Sequence, residues 1–320
     1  MAGLKITVAC SPSDRSRPVL SGEVAIEGCE ADLVTRPAGE LLAGAVSEMA
    51  YDVTEMSMSS HLVLTAREVP HYIAVPAFHS RVFRHSSIYI NTSSGIGEPR
   101  DLTGKQVGVQ QYQQTAALWV RGMLADEYGV GPGDVIWRTG GLEKPGGGER
   151  VKIDLPDHIR VEPIGGDQTL SAMLVSGEID ALVAPFPPSA FNDSGVERLF
   201  VNYREVEEDY YRRTGFFPIM HGIGVRRSLA EQHPWLAGAV YNAFCQARRI
   251  ALEDLSAIGV QRVTLHLTRE LLDDEGRIEV VAGGKTRRAK PKPSKRVLLE
   301  DFVEHFDRRF LPVATLRINL

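Results

Sequence analysis

Short apolar runs closed by Gly, Ser, Pro or polar residues alternate along the chain with longer stretches whose apolar positions recur every three to four residues. That alternation is the sequence form of an α/β protein with largely parallel strands. The runs Lys5 to Ala9, His71 to Val75, Ser86 to Asn91, Gln106 to Val109, Arg160 to Pro163, Ala181 to Ala184 and Gly222 to Val225 predict strands. Helical spacing predicts helices over Leu41 to Met49, Thr115 to Tyr128, Leu170 to Ser176 and Leu229 to Leu255. Gly177 supplies the stop for the third, and Pro234 falls near the start of the fourth.

The pattern also predicts where the chain divides. Asn91 to Gly104, rich in Ser, Gly and Pro, and Phe216 to Gly224 read as crossings between lobes. Two crossings make one lobe discontinuous: residues 1–95 with 217–320 form the first, and 96–216 the second. A chain of 320 residues is long enough for two cores. Ligands of such folds sit in the cleft beyond the carboxyl ends of the strands.

Composition removes several function classes. With 43% hydrophobic and 24% charged residues the chain has a globular balance, and the net charge of -5 argues against a nucleic-acid partner. Three widely spaced cysteines outside any CxxC pattern give neither a disulfide framework nor a zinc site. The opening MAGLKITVACSPSD reads as a strand rather than a secretory leader, and no apolar run reaches the roughly 20 residues of a membrane span, so a cytoplasmic protein with no membrane partner is expected. Only eight of the 36 basic residues are lysines, and four of those lie in the basic segment Lys285 to Arg296, which reads as a solvated loop.

The candidate chemistry concentrates in a few places. Arg81, Arg84 and His85 in FHSRVFRHSSIYIN lie between two predicted strands, where two guanidiniums either grip carboxylates or form a surface salt-bridge cluster. Ser57, Ser59 and Ser60 in EMSMSS stand at a predicted helix start, as plain caps or as anion ligands. The same arrangement recurs at Thr115, with Gln111, Tyr112 and Gln113 facing the cleft, and at Gln168 and Thr169, with Asp167 or Thr169 as cap. His221 lies on the second crossing, and Asp14 and Arg15 follow the first strand. The spacing of His71, His79 and His85 matches no compact metal motif, and no dinucleotide, P-loop or hydrolase-nucleophile signature occurs.

Taken in order, EMSMSSHLVL, VPAFHSRVFRHSSIYINTSSGI, EPRDLTGKQVGV, TLSAMLVSGEIDAL and DYYRRTGFFPIMH resemble the 4,5-dihydroxyphthalate decarboxylase family, over about Leu4 to Leu255. The likeness weakens beyond that, where RIEVVAGGKTRRAKPKPSKR stands in place of the family's aromatic segment. The resemblance implies a two-lobed, type II periplasmic-binding-protein-like fold and the conversion of 4,5-dihydroxyphthalate to protocatechuate and carbon dioxide in phthalate degradation. The implied partner is a small aromatic dicarboxylate, and a homo-oligomer is compatible with the family.

Direct loss of carbon dioxide would leave an aryl anion, so the ring carbon must be protonated first, with electron push from the para hydroxyl. On that chemistry Arg81 and Arg84 are expected to anchor carboxylates, His85 to protonate the ring carbon and His221 to receive the phenol proton. Asp14, Arg15, Ser57, Ser59, Gln111, Thr115, Gln168 and Thr169 would complete the substrate site. No cofactor is demanded, although a divalent ion on the catechol oxygens is compatible with the chemistry. The rival reading is a solute-binding protein that captures an aromatic or other small organic acid on the same fold.

Overall fold

The segment Leu4–Cys10 places Ile6, Val8 and Cys10 on one face, and all three are buried, which fixes it as a core strand, β1. It pairs in parallel with β2 (Cys29–Thr35) and β3 (Val53–Ser57). The first sheet runs β2-β1-β3-β11-β4, with β4 spanning Tyr72–Arg81 and β11 spanning Ile219–Arg226. The return strand β11 is antiparallel to both of its neighbours, and residues 82–218 lie between it and β4 in the chain. The computed structural model describes residues 3–257 and the short segments 270–272, 278–282 and 285–287.

The second sheet has the order β10-β5-β9-β6-β7-β8. Its strands are β5 (Ile88–Asn91), β6 (Gln106–Val109), β7 (Ile136–Thr139), β8 (Arg160–Pro163), β9 (Ala181–Val183) and β10 (Val196–Arg198). Strands β6 to β9 are parallel, whereas β5 runs antiparallel to β9 and β10. Each sheet has its own core, one around Val8, Ile223 and Phe244 and another around Val107, Val120 and Trp137. The fold is therefore a two-lobed α/β architecture in which the first sheet is built from two separate stretches of the chain.

The helices are α1 (Arg17–Leu20), α2 (Ala38–Ser47), α3 (Met58–Ala66), α4 (Thr115–Tyr128), α5 (Leu170–Ser176), α6 (Tyr203–Thr214), α7 (Arg227–Gln232) and α8 (Leu236–Ala257). The single long helix expected from Leu229 is two, broken at His233-Pro234-Trp235, because proline cannot continue the preceding hydrogen-bond ladder. Residues 253–320 form a second compact unit. Its described part is an antiparallel ladder of β12 (Glu270–Leu272), β13 (Ile278–Ala282) and β14 (Lys285–Arg287). The rest of the basic segment, 288–296, lies outside the described residues.

The first crossing differs from the sequence expectation. Ile88–Asn91 pairs within the second sheet, so the chain leaves the first lobe at residues 82–87, earlier than the boundary at 95. Strand β4 also continues past Val75 to Arg81, through Pro76, and its register to β11 shifts twice. Pro76 is tolerated because β4 is the sheet's edge strand, and the irregular register re-aims side chains near its end.

Close packing holds the return strand in place. A Cβ built on Gly224 of β11 would lie 2.6 Å from Met56 Sδ and 2.9 Å from Tyr72 Cβ, one neighbour on each flanking strand. Gly224→Ala is expected to lower stability by about 1–3 kcal/mol, read as a lower urea midpoint.

Candidate active site

The carboxyl ends of the first sheet converge on one buried carboxylate. Glu55, in the middle of β3, is 1% exposed. Its Oε1 accepts from His221 Nδ1 at 2.6 Å, and its Oε2 accepts from Ser11 Oγ at 2.5 Å and Ser11 N at 2.9 Å. His79 Nε2 is 3.5 Å from the same oxygen, 3.4 Å from Ser11 Oγ and 3.5 Å from Ser13 Oγ. Ser11 stands one residue past β1, His79 is on β4 and His221 on β11, so four strands each send one group to this point.

The electrostatics follow from that arrangement. Burial alone would raise the Glu55 pKa, but the hydrogen bond from His221, the charges of His79 and His221 and the Ser11 hydroxyl outweigh it and bring it down to about 2. Burial lowers the pKa of His79 and outweighs the pull of Glu55 in the other direction, which favours neutral imidazole. Asp14 and Arg15 act on His79 electrostatically with opposite signs and pair with each other at 3.2 Å. The His221 side chain is 21% exposed, and its Nε2 has no hydrogen bond among the described residues. A carboxylate holding Nδ1–H of an imidazole fixes the tautomer and points the other nitrogen at whatever enters.

The second lobe meets this site through helix starts. Ser57 lies opposite His221 in the β3–β11 register. Its Oγ is 2.9 Å from Thr115 Oγ1, which in turn lies 3.0 Å from Ser59 Oγ and accepts from Ser59 N at 3.1 Å. Thr115 does not cap α4 as expected: Gln114 holds that position, and the Thr115 hydroxyl is drawn across to the start of α3. Ser57, Ser59 and Thr115 are thus brought together from both lobes. Tyr112, expected to face the cleft, is buried against Trp137 and Arg121, and Gln111 Nε2 donates to Gly148 O at 2.6 Å.

Other expected residues stand elsewhere. Thr169 caps α5 by accepting from Ala172 N, and Gln168 bonds Gly165 N and Glu178, all within the second lobe. Arg81 ends β4 with its guanidinium 4.9 Å from the centre of the Phe78 ring. Arg84 is buried between the lobes, its Nε 3.2 Å from Met220 Sδ of β11 and its Nη1 3.3 Å from Pro185 O, with no carboxylate within ion-pair distance among the described residues. Burial pushes its pKa down to about 10.

His85 is not beside these groups as a donor into the cleft. Because Ile88–Asn91 belongs to the second sheet, His85 turns into that lobe, where it packs against the rings of Phe200, Tyr210 and Tyr128, and neither ring nitrogen has a hydrogen-bond partner. Burial lowers its pKa to about 4. Sequence reasoning passed over Glu55 and His79 although both lie in segments it singled out. The available signal was a lone acid inside a strand whose five residues are all buried. Among the described residues no group of three or more His, Cys, Asp or Glu side chains is arranged to hold a metal ion.

Two pH windows separate these groups. His85 has a folded pKa of about 4 against an ordinary 6.5, so the unfolded chain binds its proton first and stability falls as pH drops from 6.5 toward 4. Glu55, depressed from 4.5 to about 2, contributes stability that is lost as pH drops through that lower range. Urea unfolding across pH is expected to show His85→Leu flattening only the upper window and Glu55→Gln only the lower.

No protein-family model matches the chain. A 4,5-dihydroxyphthalate decarboxylase of Comamonas testosteroni is 40% identical over 281 residues, covering 87% of this chain and 85% of that protein. One of Pseudomonas putida is 39% identical over 219 residues, covering 68% and 84%. Among solved structures, the periplasmic aliphatic sulphonate binding protein SsuA from Escherichia coli aligns over 80% of this chain and 76% of its own, at 14% identity and a TM-score of 0.47. On the two sequence relatives, the chain belongs to the 4,5-dihydroxyphthalate decarboxylase family.

Proposed function

We propose that the chain removes one carboxylate from 4,5-dihydroxyphthalate without oxidation, giving protocatechuate and carbon dioxide. The named activity of its relatives supports this over solute capture. The observation that carries the chemistry is the 2.6 Å contact between the buried Glu55 carboxylate and His221.

In this reading the substrate's phenolate pushes electrons to the para ring carbon, which takes a proton from His221 Nε2. The carbon–carbon bond then breaks, carbon dioxide leaves, and the bond pair restores the aromatic ring. Glu55 stabilises the imidazolium and orients it. Neutral His79, in the same cluster, is the base for the phenol proton. Arg84, buried with no carboxylate at ion-pair distance among the described residues and offset only by the charge of Glu207, is relieved by a substrate carboxylate, and Arg81 is a second anchor. Ser57, Ser59 and Thr115 border the same space. The substrate's own hydroxyl is the electron source, so no organic cofactor enters the sequence of steps.

We place the activity in the cytoplasm, which suits three unpaired cysteines, Cys10, Cys29 and Cys245. Among the described residues no helix is long and apolar enough to cross a membrane.

Purified protein incubated with 4,5-dihydroxyphthalate should release protocatechuate and carbon dioxide in equal amounts. His221→Gln should lower kcat by about 100- to 10,000-fold, while His85→Leu keeps wild-type turnover within about tenfold. Arg84→Ala should lower kcat/KM by some 10- to 150-fold. Tight binding of the substrate with no product would favour the solute-binding alternative.

A further inference from the structure

A carboxylate of the chain itself occupies a site built for an anion. Just ahead of α4, two successive backbone amides converge on Glu149: Tyr112 N donates to its Oε1 at 2.5 Å and Gln113 N to its Oε2 at 3.1 Å. Consecutive amides of this kind form an anion-binding nest. Behind it lies Arg121, 8% exposed, stacked 3.7 Å over the Tyr112 ring and donating to Tyr112 O at 2.6 Å. Its positive charge interacts with Glu149. Gln113 is 2% exposed, and its Nε2 has no hydrogen-bond partner. A buried cation, two amides and an unused amide donor are more than one carboxylate from a loop requires.

The site adjoins the reacting groups. Gln113 Oε1 accepts from Ser60 Oγ at 3.1 Å, and Thr115 reaches Ser57, which stands opposite His221. Glu149 arrives from the loop after β7, which reads GGLEKPGGGER from Gly140 to Arg150. Gly146 and Gly147 take φ values of +100° and +104°, conformations open to glycine and rare for other residues. A glycine run of this kind lets the loop tip withdraw with little steric cost. The Gln111 side chain, whose Nε2 donates to Gly148 O at 2.6 Å, makes a tie to the loop that would have to break.

We propose that the Tyr112–Gln113 nest is the seat of one carboxylate of the substrate, and that Glu149 is a built-in competitor which the substrate displaces. The inference rests on the aromatic dicarboxylate reading above. It adds a specificity device: a ligand must bring a carboxylate able to replace Glu149, and a neutral catechol cannot.

Phthalate, which has the two carboxylates but no hydroxyl to drive turnover, is a suitable probe for calorimetric titration. A competitor that fills the nest nine-tenths of the time weakens apparent affinity about tenfold, so Glu149→Gln and Glu149→Ala should both bind phthalate about tenfold more tightly than wild type. In the wild-type protein, saturating phthalate should increase hydrogen exchange across residues 146–150 while the Tyr112 and Gln113 amides stay protected. Unchanged or weaker phthalate binding in both variants, with the 146–150 loop unchanged or more protected in the wild type, would overturn the proposal and identify Glu149 as a structural latch. Failure of all three proteins to bind phthalate overturns it too. The 4,5-dihydroxyphthalate assay separates the two readings: a wild type that turns over while Glu149 variants bind phthalate normally leaves the activity standing and removes only the competitor.

Discussion

The Glu55 carboxylate is the constraint around which the first lobe is organised. An ionised carboxylate at this depth is tolerable only when its oxygens are hydrogen-bonded. Those partners come from residues far apart in sequence: Ser11 after β1, His79 on β4 and His221 on the return strand β11. The last follows the whole second lobe in the chain. Removing Gly224's clearance would move β11, and with it His221, away from Glu55. The same contacts that satisfy the buried charge hold the Nδ1 side of the His221 ring and leave its Nε2 without a hydrogen bond among the described residues.

The lobes meet through polar groups rather than through a continuous core. Ser57, Ser59 and Thr115 share hydrogen bonds across the boundary, Arg67 Nη2 donates to Lys152 O at 2.6 Å, and Trp119 Nε1 donates to Ile219 O at 2.9 Å. Such contacts are individually modest and exchangeable for water or ligand. Arg84 spans the same boundary with no carboxylate within ion-pair distance among the described residues, and feels only the charge of Glu207. Donors from both lobes thus lie along this boundary.

Much of the architecture was legible in the chain. The strands at Leu4–Cys10 and Gln106–Val109 and the helices at Thr115–Tyr128 and Leu170–Ser176 follow their apolar spacing closely. Two of the omissions share a cause: β2 is an edge strand of half-buried residues, and α6 buries only Tyr210 and is laced instead by Glu208–Arg212 and Asp209–Arg213 pairs. Apolar periodicity cannot report elements that bury little. Pro76 truncated the reading of β4, which in turn made Arg81 look like a loop residue. His85 was misplaced because assigning Ile88–Asn91 to one sheet or the other depends on pairing, which spacing does not encode. For the same reason the serines of EMSMSS were visible and the partnership of Glu55 with His221, 166 positions away, was not.

In the proposed reaction Glu55 acts through His221 on the proton that makes decarboxylation feasible. Glu55→Gln keeps the shape and one hydrogen bond but removes the charge that stabilises an imidazolium. Turnover of 4,5-dihydroxyphthalate by this variant, measured beside its equilibrium affinity for phthalate, is the direct test. The expected result is a kcat lower by about 100-fold or more with phthalate affinity changed less than about tenfold. A folded Glu55→Gln protein with wild-type kcat would contradict it.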